Sequence, residues 1–432
     1  LGAVGIRSVD RDEEPTHVRQ QPDGARADLS LSLDEIRTGI AGHGVIGVLR
    51  GGKAGEHVAA LRADMDALPM KEESGVGFAS DVVDEDYPGG PLPVAHTCGH
   101  DCHTAMLMGA ASVLAGVRDE LPGTVMFVFQ PAEEGPPIDE DGGARAMQAS
   151  GALDDPAPSM VFGMHVTPFP KGVVAYRVGN QYGASVLMRI TVDGKGVHGS
   201  TPWNGIDPMS AAADIVAAMG QIYRQLRGYD PLAITIGHIE DRGRFNVIGD
   251  SVQLFGTIRC SVEPDMDDAR QRVKRTAEKI AEAYGATANV EFLQHVPAVH
   301  NTEPWITATL PTIERVVGAD HIVQAPPGLG YDDVSVFVNR YGGTYLHLGE
   351  LGYGALRKLG PLRTAPAKQP PHTANTIRSL LTQRPKLTHI TTFSEPVVTP
   401  WPFNTVEMAP APPQCTDRPV APLKVIVFWA GS

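Results

Sequence analysis

The sequence predicts an α/β protein: a sheet domain with helices on both faces, interrupted by a smaller α+β module. Three observations carry this expectation. Short apolar runs at 58–61, 123–129 and 160–162 each lead directly into polar side chains of ligand-binding type. That is the texture of an open α/β sheet, whose chemistry gathers at the carboxyl ends of its strands. Between about 181 and 292 the rhythm changes to β-α-β-β-α-β, the split βαβ pattern of a ferredoxin-like unit. Finally, 432 residues exceed a comfortable single core, so two domains are expected. The predicted division is 1–180 and 293–432 for the two parts of the sheet domain, with 181–292 inserted between them.

The elements follow in order. Residues 1–44 are polar and show no period. A strand at 58–61 runs into Arg62-Ala63-Asp64-Met65-Asp66-Ala67-Leu68-Pro69, and 104–117, rich in Ala, Leu and Met, has the composition of a buried helix. The strand at 123–129 opens into Gln130-Pro131-Ala132-Glu133-Glu134, and the strand at 160–162 into Gly163-Met164-His165. In the inserted module, 185–192 alternates as a strand does. Residues 207–226 form a helix with Asp207 as its cap and Pro208 in its first turn. Strands at 233–239 and 252–258, an amphipathic helix at 266–284 and a strand at 289–292 complete the unit. The sheet domain resumes after 296 with a helix near 305–317. Beyond 351 the pattern degrades: 13 of the 36 prolines fall there, and only 425–429 resembles a strand. There is no internal repeat.

Composition excludes several classes. A formal charge of −14 argues against nucleic acid or an anionic membrane surface as partner. No apolar run approaches the ~18 residues of a membrane span. The opening Leu-Gly-Ala-Val-Gly-Ile is too short for a signal-peptide core; a cytoplasmic protein is expected, with a cleaved leader left open because the chain begins without Met. Cys98, Cys102, Cys260 and Cys415 are too few and scattered for a disulfide framework. Cys98 and Cys102 could pair or share a structural zinc, but no second pair completes such a site.

Chemistry concentrates in His96-Thr97-Cys98-Gly99-His100-Asp101-Cys102-His103, six potential donors in eight positions. Cys-x-His on a Gly-containing turn can aim a thiolate and an imidazole at one divalent metal such as zinc. Glu133 and Glu134, adjacent at a strand end, would point oppositely, one to a metal and one to a substrate; the bland alternative is a solvated acidic pair. His165 reaches the same sheet edge. Asp66 can orient a ligand imidazole by accepting its second N–H, a role Asp64 fills less well, while His96 and His103 support the loop.

These stretches resemble the M20 metallopeptidase/amidohydrolase family, in its branch of N-acyl-amino-acid amidohydrolases: aminoacylases, hippurate hydrolases and auxin-conjugate hydrolases. The matching segments are 61–69, 96–103, 129–134, Gly163-Met164-His165-Val166, Gly194-Lys195-Gly196-Val197-His198-Gly199-Ser200, Asn246-Val247-Ile248, Gly256-Thr257-Ile258-Arg259 and 331–337. They cover about 45–350 in family order. The resemblance implies a metal-dependent exopeptidase-like sheet domain, an inserted ferredoxin-like lid that also dimerises, and one or two divalent ions (Zn, Mn, Co or Ni). Its ligands would be Cys98, His100 (bridging), Glu134, His165 and a late histidine, His372 in preference to His389. It further implies Glu133 as general base, His198 as the oxyanion contact, often from a partner subunit, and Asn246 and Arg259 holding a substrate carboxylate. Arg259 could equally be a solvated strand residue. The reaction implied is amide hydrolysis of N-acyl amino acids or similar small conjugates. Two alternatives remain: a dipeptidase or carboxypeptidase-like peptidase, and a catalytically impaired metal- or ligand-binding paralogue.

Overall fold

Near-continuous apolar runs build the centre of the larger sheet, and alternation of apolar and polar residues builds the smaller one. The computed structural model describes residues 33–351, apart from 86–89, 137, 139–141, 227, 229–230 and 242; His372 and His389 lie outside them. The first part contains β1 (Glu35–Ile40), β2 (Gly44–Arg50), β3 (Lys53–Asp64), α1 (His100–Gly116), β4 (Pro122–Gln130), α2 (Gly143–Ala149), β5 (Met160–Pro170), β6 (Val174–Tyr176) and β7 (Gly179–Tyr182). Then come β8 (Ala184–Asp193), α3 (Pro208–Met219), β9 (Leu232–Asp241), β10 (Ser251–Cys260), α4 (Glu263–Ala283) and β11 (Thr287–Val296). The chain continues through β12 (Val299–Asn301), α5 (Glu303–Val317), β13 (Ile322–Gln324), α6 (Ser335–Tyr341) and β14 (Gly343–Leu351).

Eight strands form one mixed sheet in the order β1-β2-β4-β3-β5-β14-β6-β13. Its centre, β4-β3-β5-β14, is parallel, so the carboxyl ends of four strands lie along one edge. Central strands buried on both faces read as near-continuous apolar runs, which is why β4 shows at the sequence level. One face packs Leu61, Ala63, Phe127, Phe129, Phe162 and Leu346 against α1 and α5. The other packs Ala60, Met126, Val128, Val161 and Tyr345 against α2 and α6. Helices therefore cover both faces, as expected of this fold class.

Four strands form a second, antiparallel sheet ordered β9-β10-β8-β11. With α3 after β8 and α4 after β10, this is the strand order of a split βαβ unit. Its own core, including Val186, Met188, Ile190, Ile215, Leu254, Ile258, Val273 and Ala277, is separate from that of the large sheet. Asp207 caps α3 by accepting from the amides of Met209 and Ser210. The helix stops at Met219 rather than near 226, at Gly220, where helix propensity falls. No helix among the described residues is long and apolar enough to cross a membrane.

The structure departs from the sequence reading in three places that matter. The irregular-looking N-terminal stretch contains β1 and pairs it with β2; a register shift between Arg37 and Ile40 breaks the alternation that would have revealed it. Helix α1 begins at His100 rather than near 104. And β5 continues to Pro170, so His165 lies within a strand paired to β14 instead of following a short one.

Candidate metal centre

The site forms where α1 starts at the carboxyl edge of the large sheet. Gly99 takes φ +91°, and a Cβ there would meet Val166 Cγ2 at 2.2 Å, so only glycine makes this turn. The amides of Cys102 and His103 donate to Gly99 O, winding the donor cluster into the first helical turn. His100 and His103, three apart, consequently share a helix face, and both are buried.

Hydrogen bonds assign the two imidazoles different tasks. The Val166 amide donates to His103 Nε2 at 2.8 Å, so Nδ1 carries the proton and donates to Asp64. His103 is thereby saturated, and it ties α1 to β3 and β5. His100 Nδ1 lies 3.0 Å from Asp66 O and 3.1 Å from its Oδ1, both acceptors, which leaves the Nε2 lone pair free. That Nε2 is buried and has no hydrogen-bond partner. Around it stand Asp64 Oδ2 at 3.8 Å, Glu133 Oε2 at 3.8 Å and Glu134 Oε1 at 3.9 Å. A lone pair facing three carboxylate oxygens is favourable only with a cation or proton between them.

The donor set fits metal. Cys98, His100 and His165 offer ligand atoms within 4.8 Å of one another, as do His100, Glu133 and Glu134. The two sets share His100. Cys98 Sγ lies 3.6 Å from His165 Nε2, whose Nδ1 faces Val166 O. Glu134 Oε1 is also buried without a partner. Burial first, then Glu134 alongside, push the Cys98 thiol well above its usual range, a penalty that a divalent cation would reverse.

Glu133 and Glu134 do not diverge as adjacent strand residues would. Strand β4 ends at Gln130, Ala132 adopts φ +51°, and the pair sits in the following turn, where strand alternation does not apply. Both carboxylates converge on His100. Glu133 is 5% exposed and receives the Asp333 amide at 3.4 Å. Burial, and then the charges of Asp332 and Asp333, raise its pKa well above the ordinary carboxylate value. Asp66 accepts from His100 and also from the Glu134 amide at 3.0 Å, joining the two halves of the site.

Sequence reasoning missed the layer beneath. Arg62 is buried, with Nη1 2.7 Å from Asp64 and Nη2 3.1 and 3.2 Å from Asp332 and Asp333. Its Nε donates to Gln130, which in turn donates to Asp333, while the Tyr345 hydroxyl donates to Asp332. One cation thus serves three carboxylates, and burial raises the Asp333 pKa to about 7. His347, 7% exposed on β14, was also missed. Its signal was a polar residue within the apolar run Tyr345-Leu346-His347-Leu348.

Other expected residues are placed differently. Arg259 stacks its guanidinium 4.6 Å over the Tyr331 ring, and the Tyr331 hydroxyl donates to Glu134 O, so it borders the site. His198, on the two-stranded ribbon of 197–198 and 247–248, and Asn246, just before its second strand, are both exposed. His198 bonds to Ser200, and no hydrogen bond or ion pair among the described residues links either one to the cluster. His96 is exposed.

Comparison with known proteins agrees with this geometry. Residues 60–356 match the model of peptidase family M20/M25/M40. Thermostable carboxypeptidase 2 of Saccharolobus solfataricus is 36% identical over 71% of this chain and 74% of its own length. N-acetylcysteine deacetylase of Bacillus subtilis is 33% identical over 74% and 79%. A solved Bacillus subtilis structure, described as a dinuclear metal-binding peptidase of the M20 family, superposes with a TM-score of 0.57 at 30% identity, covering 73% of this chain and 78% of its own. With a donor set built for divalent metal and a buried glutamate beside it, the chain belongs to peptidase family M20/M25/M40 and is a metal-dependent hydrolase of amide bonds.

Proposed function

We propose that the substrate is an N-acyl amino acid or a similar small conjugate, cleaved to an amino acid and a carboxylic acid. The observation that carries this is the pair of donor sets sharing His100, with the buried Glu133 in contact with it. The deacetylase relative is named for such a substrate. Cys98, His100, Glu134 and His165 hold one or two divalent ions, which when bound polarise the scissile carbonyl and acidify water. Glu133 takes the proton from the attacking water and returns it to the leaving nitrogen. A carboxylate whose proton affinity is raised by burial suits both transfers. Asp66 keeps His100 in the tautomer that leaves Nε2 bare.

Arg259 is suited to a substrate carboxylate because a guanidinium binds one through two parallel hydrogen bonds. The module at 181–292 acts as a lid over the sheet domain formed by 1–180 and 293–432, and its closure brings His198 and Asn246 to the substrate. A homodimer through this module would deliver His198 from a second copy. His372 remains the favoured late ligand. A reducing cytoplasm suits a Cys98 that must stay a free thiol.

The test is metal analysis combined with a panel of N-acyl amino acids and dipeptides. Glu133→Gln should keep its metal and lose at least about 100-fold in kcat, whereas Cys98→Ala and Glu134→Ala should lose metal together with activity. Faster cleavage of dipeptides would favour the carboxypeptidase-like alternative suggested by the 36% relative. Glu133→Gln activity within tenfold of wild type would remove the general-base role.

A further inference from the structure

Strand register places His347 in the same row as His165, one of the candidate metal donors. Alternate residues of a strand face one side of its sheet, and the pairings Asp64↔Gln130, Arg62↔Gly163, Gly163↔Tyr345 and His165↔His347 align four neighbouring strands. Gln130, Asp64, His165 and His347 thus lie toward the carboxyl ends of these strands, on the face that carries Arg62 and Tyr345. Three of the four already belong to the site or its supporting network.

The imidazole of His347 is enclosed but unused. Its Nδ1 lies 3.4 Å from the Tyr182 hydroxyl, and it makes no other hydrogen bond among the described residues. Nε2 has no hydrogen-bond partner among the described residues, and the side chain is 7% exposed. The ring stands edge-on to Tyr182 at 5.0 Å and tilted to Phe169 at 5.9 Å. A phenol is a better donor than acceptor; with the Tyr182 hydroxyl donating to Nδ1, the neutral ring carries its proton on Nε2. The result is one N–H donor without a partner among the described residues, on the strand next to His165. A protonated Nε2 cannot take a metal ion, and His347 joins none of the sets of three close donors. What it can bind is an oxygen atom.

We infer that His347 is a further catalytic residue, donating its Nε2–H to the acyl oxygen of the bound substrate, with Tyr182 the positioning residue that fixes its tautomer. This rests on the amide-hydrolysis reading of the site. A neutral donor aimed at an oxygen that gains charge during attack stabilises the transition state more than the ground state. The loss should therefore appear in kcat.

The experiment uses the metal-loaded full chain and the best-cleaved N-acyl amino acid. It adds binding of the corresponding phosphonamidate, whose tetrahedral phosphorus replaces the scissile carbonyl carbon. His347→Ala should lower kcat about 100-fold, change KM less than threefold, and weaken phosphonamidate binding by a factor similar to the kcat loss, with metal content unchanged. His347→Gln, which restores an N–H donor near Nε2, should recover part of the loss. Tyr182→Phe should cause a smaller fall in kcat. In ¹⁵N spectra of the wild-type chain, His347 should be protonated at Nε2 and bare at Nδ1. The opposite tautomer overturns the inference whatever the turnover. So does a pure KM effect, an unchanged kcat, or loss of metal in His347→Ala. A wild-type chain that binds metal yet cleaves no N-acyl amino acid overturns the proposed reaction and this inference with it; an active wild type with an unaffected His347→Ala overturns the inference alone.

Discussion

Replacing Arg62 by methionine tests the layer that supports the metal centre. The side chain is 1% exposed, and its three carboxylate partners Asp64, Asp332 and Asp333 are 0%, 0% and 8% exposed. Methionine fills similar volume but leaves these acids without their cation. Breaking a buried ion pair from one side costs about 3–5 kcal/mol, chiefly because the surviving charge has no partner. At pH 7 the metal-free Arg62→Met chain should lose that much stability. The loss should also depend on pH. Without Arg62, which outweighs burial and holds the Asp64 carboxyl below its ordinary range, Asp64 takes up a proton in the folded state at a higher pH than before, in addition to the proton Asp333 already binds in the wild type. Lowering the pH from 7 to 5.5 should then return about 2 kcal/mol, at about 1.4 kcal/mol per pH unit for each proton bound.

Urea unfolding of the metal-free protein at both pH values measures this. A loss below about 1 kcal/mol at pH 7, or an equal loss at both values, would refute the reasoning. The compensating variant sharpens it: adding Asp64→Asn and Asp332→Asn to Arg62→Met removes charge from both sides. It should recover at least part of the loss, since neighbours in one ion network are not additive.

Asp333 supplies a second pH signature. Its pKa is raised from 3.8 to about 7 in the fold, so its contribution to stability is full below 3.8 and disappears as pH rises through about 7. Wild type compared with Asp333→Asn should therefore lose relative stability across that window, by about 4 kcal/mol at the limit, and parallel pH curves would contradict this. Gly163→Ala would place a Cβ 3.0 and 3.1 Å from the Tyr345 ring. It should cost about 1–3 kcal/mol by overpacking and disturb the hydroxyl contact with Asp332; unaltered urea stability would show that the ring can yield. His198→Ala should reduce kcat far more than it raises KM, and an effect confined to KM would move His198 to substrate binding.

What was legible in the sequence, and what was not, follows from the range of the interactions. The candidate donors Cys98, His100, Glu134 and His165 and the candidate base Glu133 are visible because their residue types cluster within short segments beside apolar strands. The split βαβ module was equally readable from alternation, the Asp207 cap and Pro208. The Arg62 network was not, because Arg62 and Asp332 are 270 residues apart in sequence and meet only when β3 and the turn before α6 are assembled. An arginine in a strand carries no local mark of burial. Likewise, the sequence put the Glu pair on an extended strand because nothing nearby signals the positive φ of Ala132. The β1 strand was hidden by Gly39 and its register shift, and His347 by having no donor-type neighbour in sequence.

The register of β14 against β5 links the core to the chemistry. In that register Tyr345 lies over Gly163 and reaches Asp332, Leu346 enters the core beneath α1 and α5, and His347 stands beside His165. A slip of one residue would reverse every side chain of β14 between the faces. Leu346 and Leu348 would then face the acids and the metal donors, while Tyr345 and His347 would be driven into the apolar packing of α1 and α5, where a phenol and an imidazole would lose their partners. The hydrophobic pattern of Leu346 and Leu348 thus does more than hold the sheet together. By making the slipped pairing costly it also fixes the row Gln130–Asp64–His165–His347, so site geometry is enforced by core packing that touches no substrate. Polar substitution of Leu346, which packs beneath α1 and α5, should accordingly lower the metal occupancy found by metal analysis.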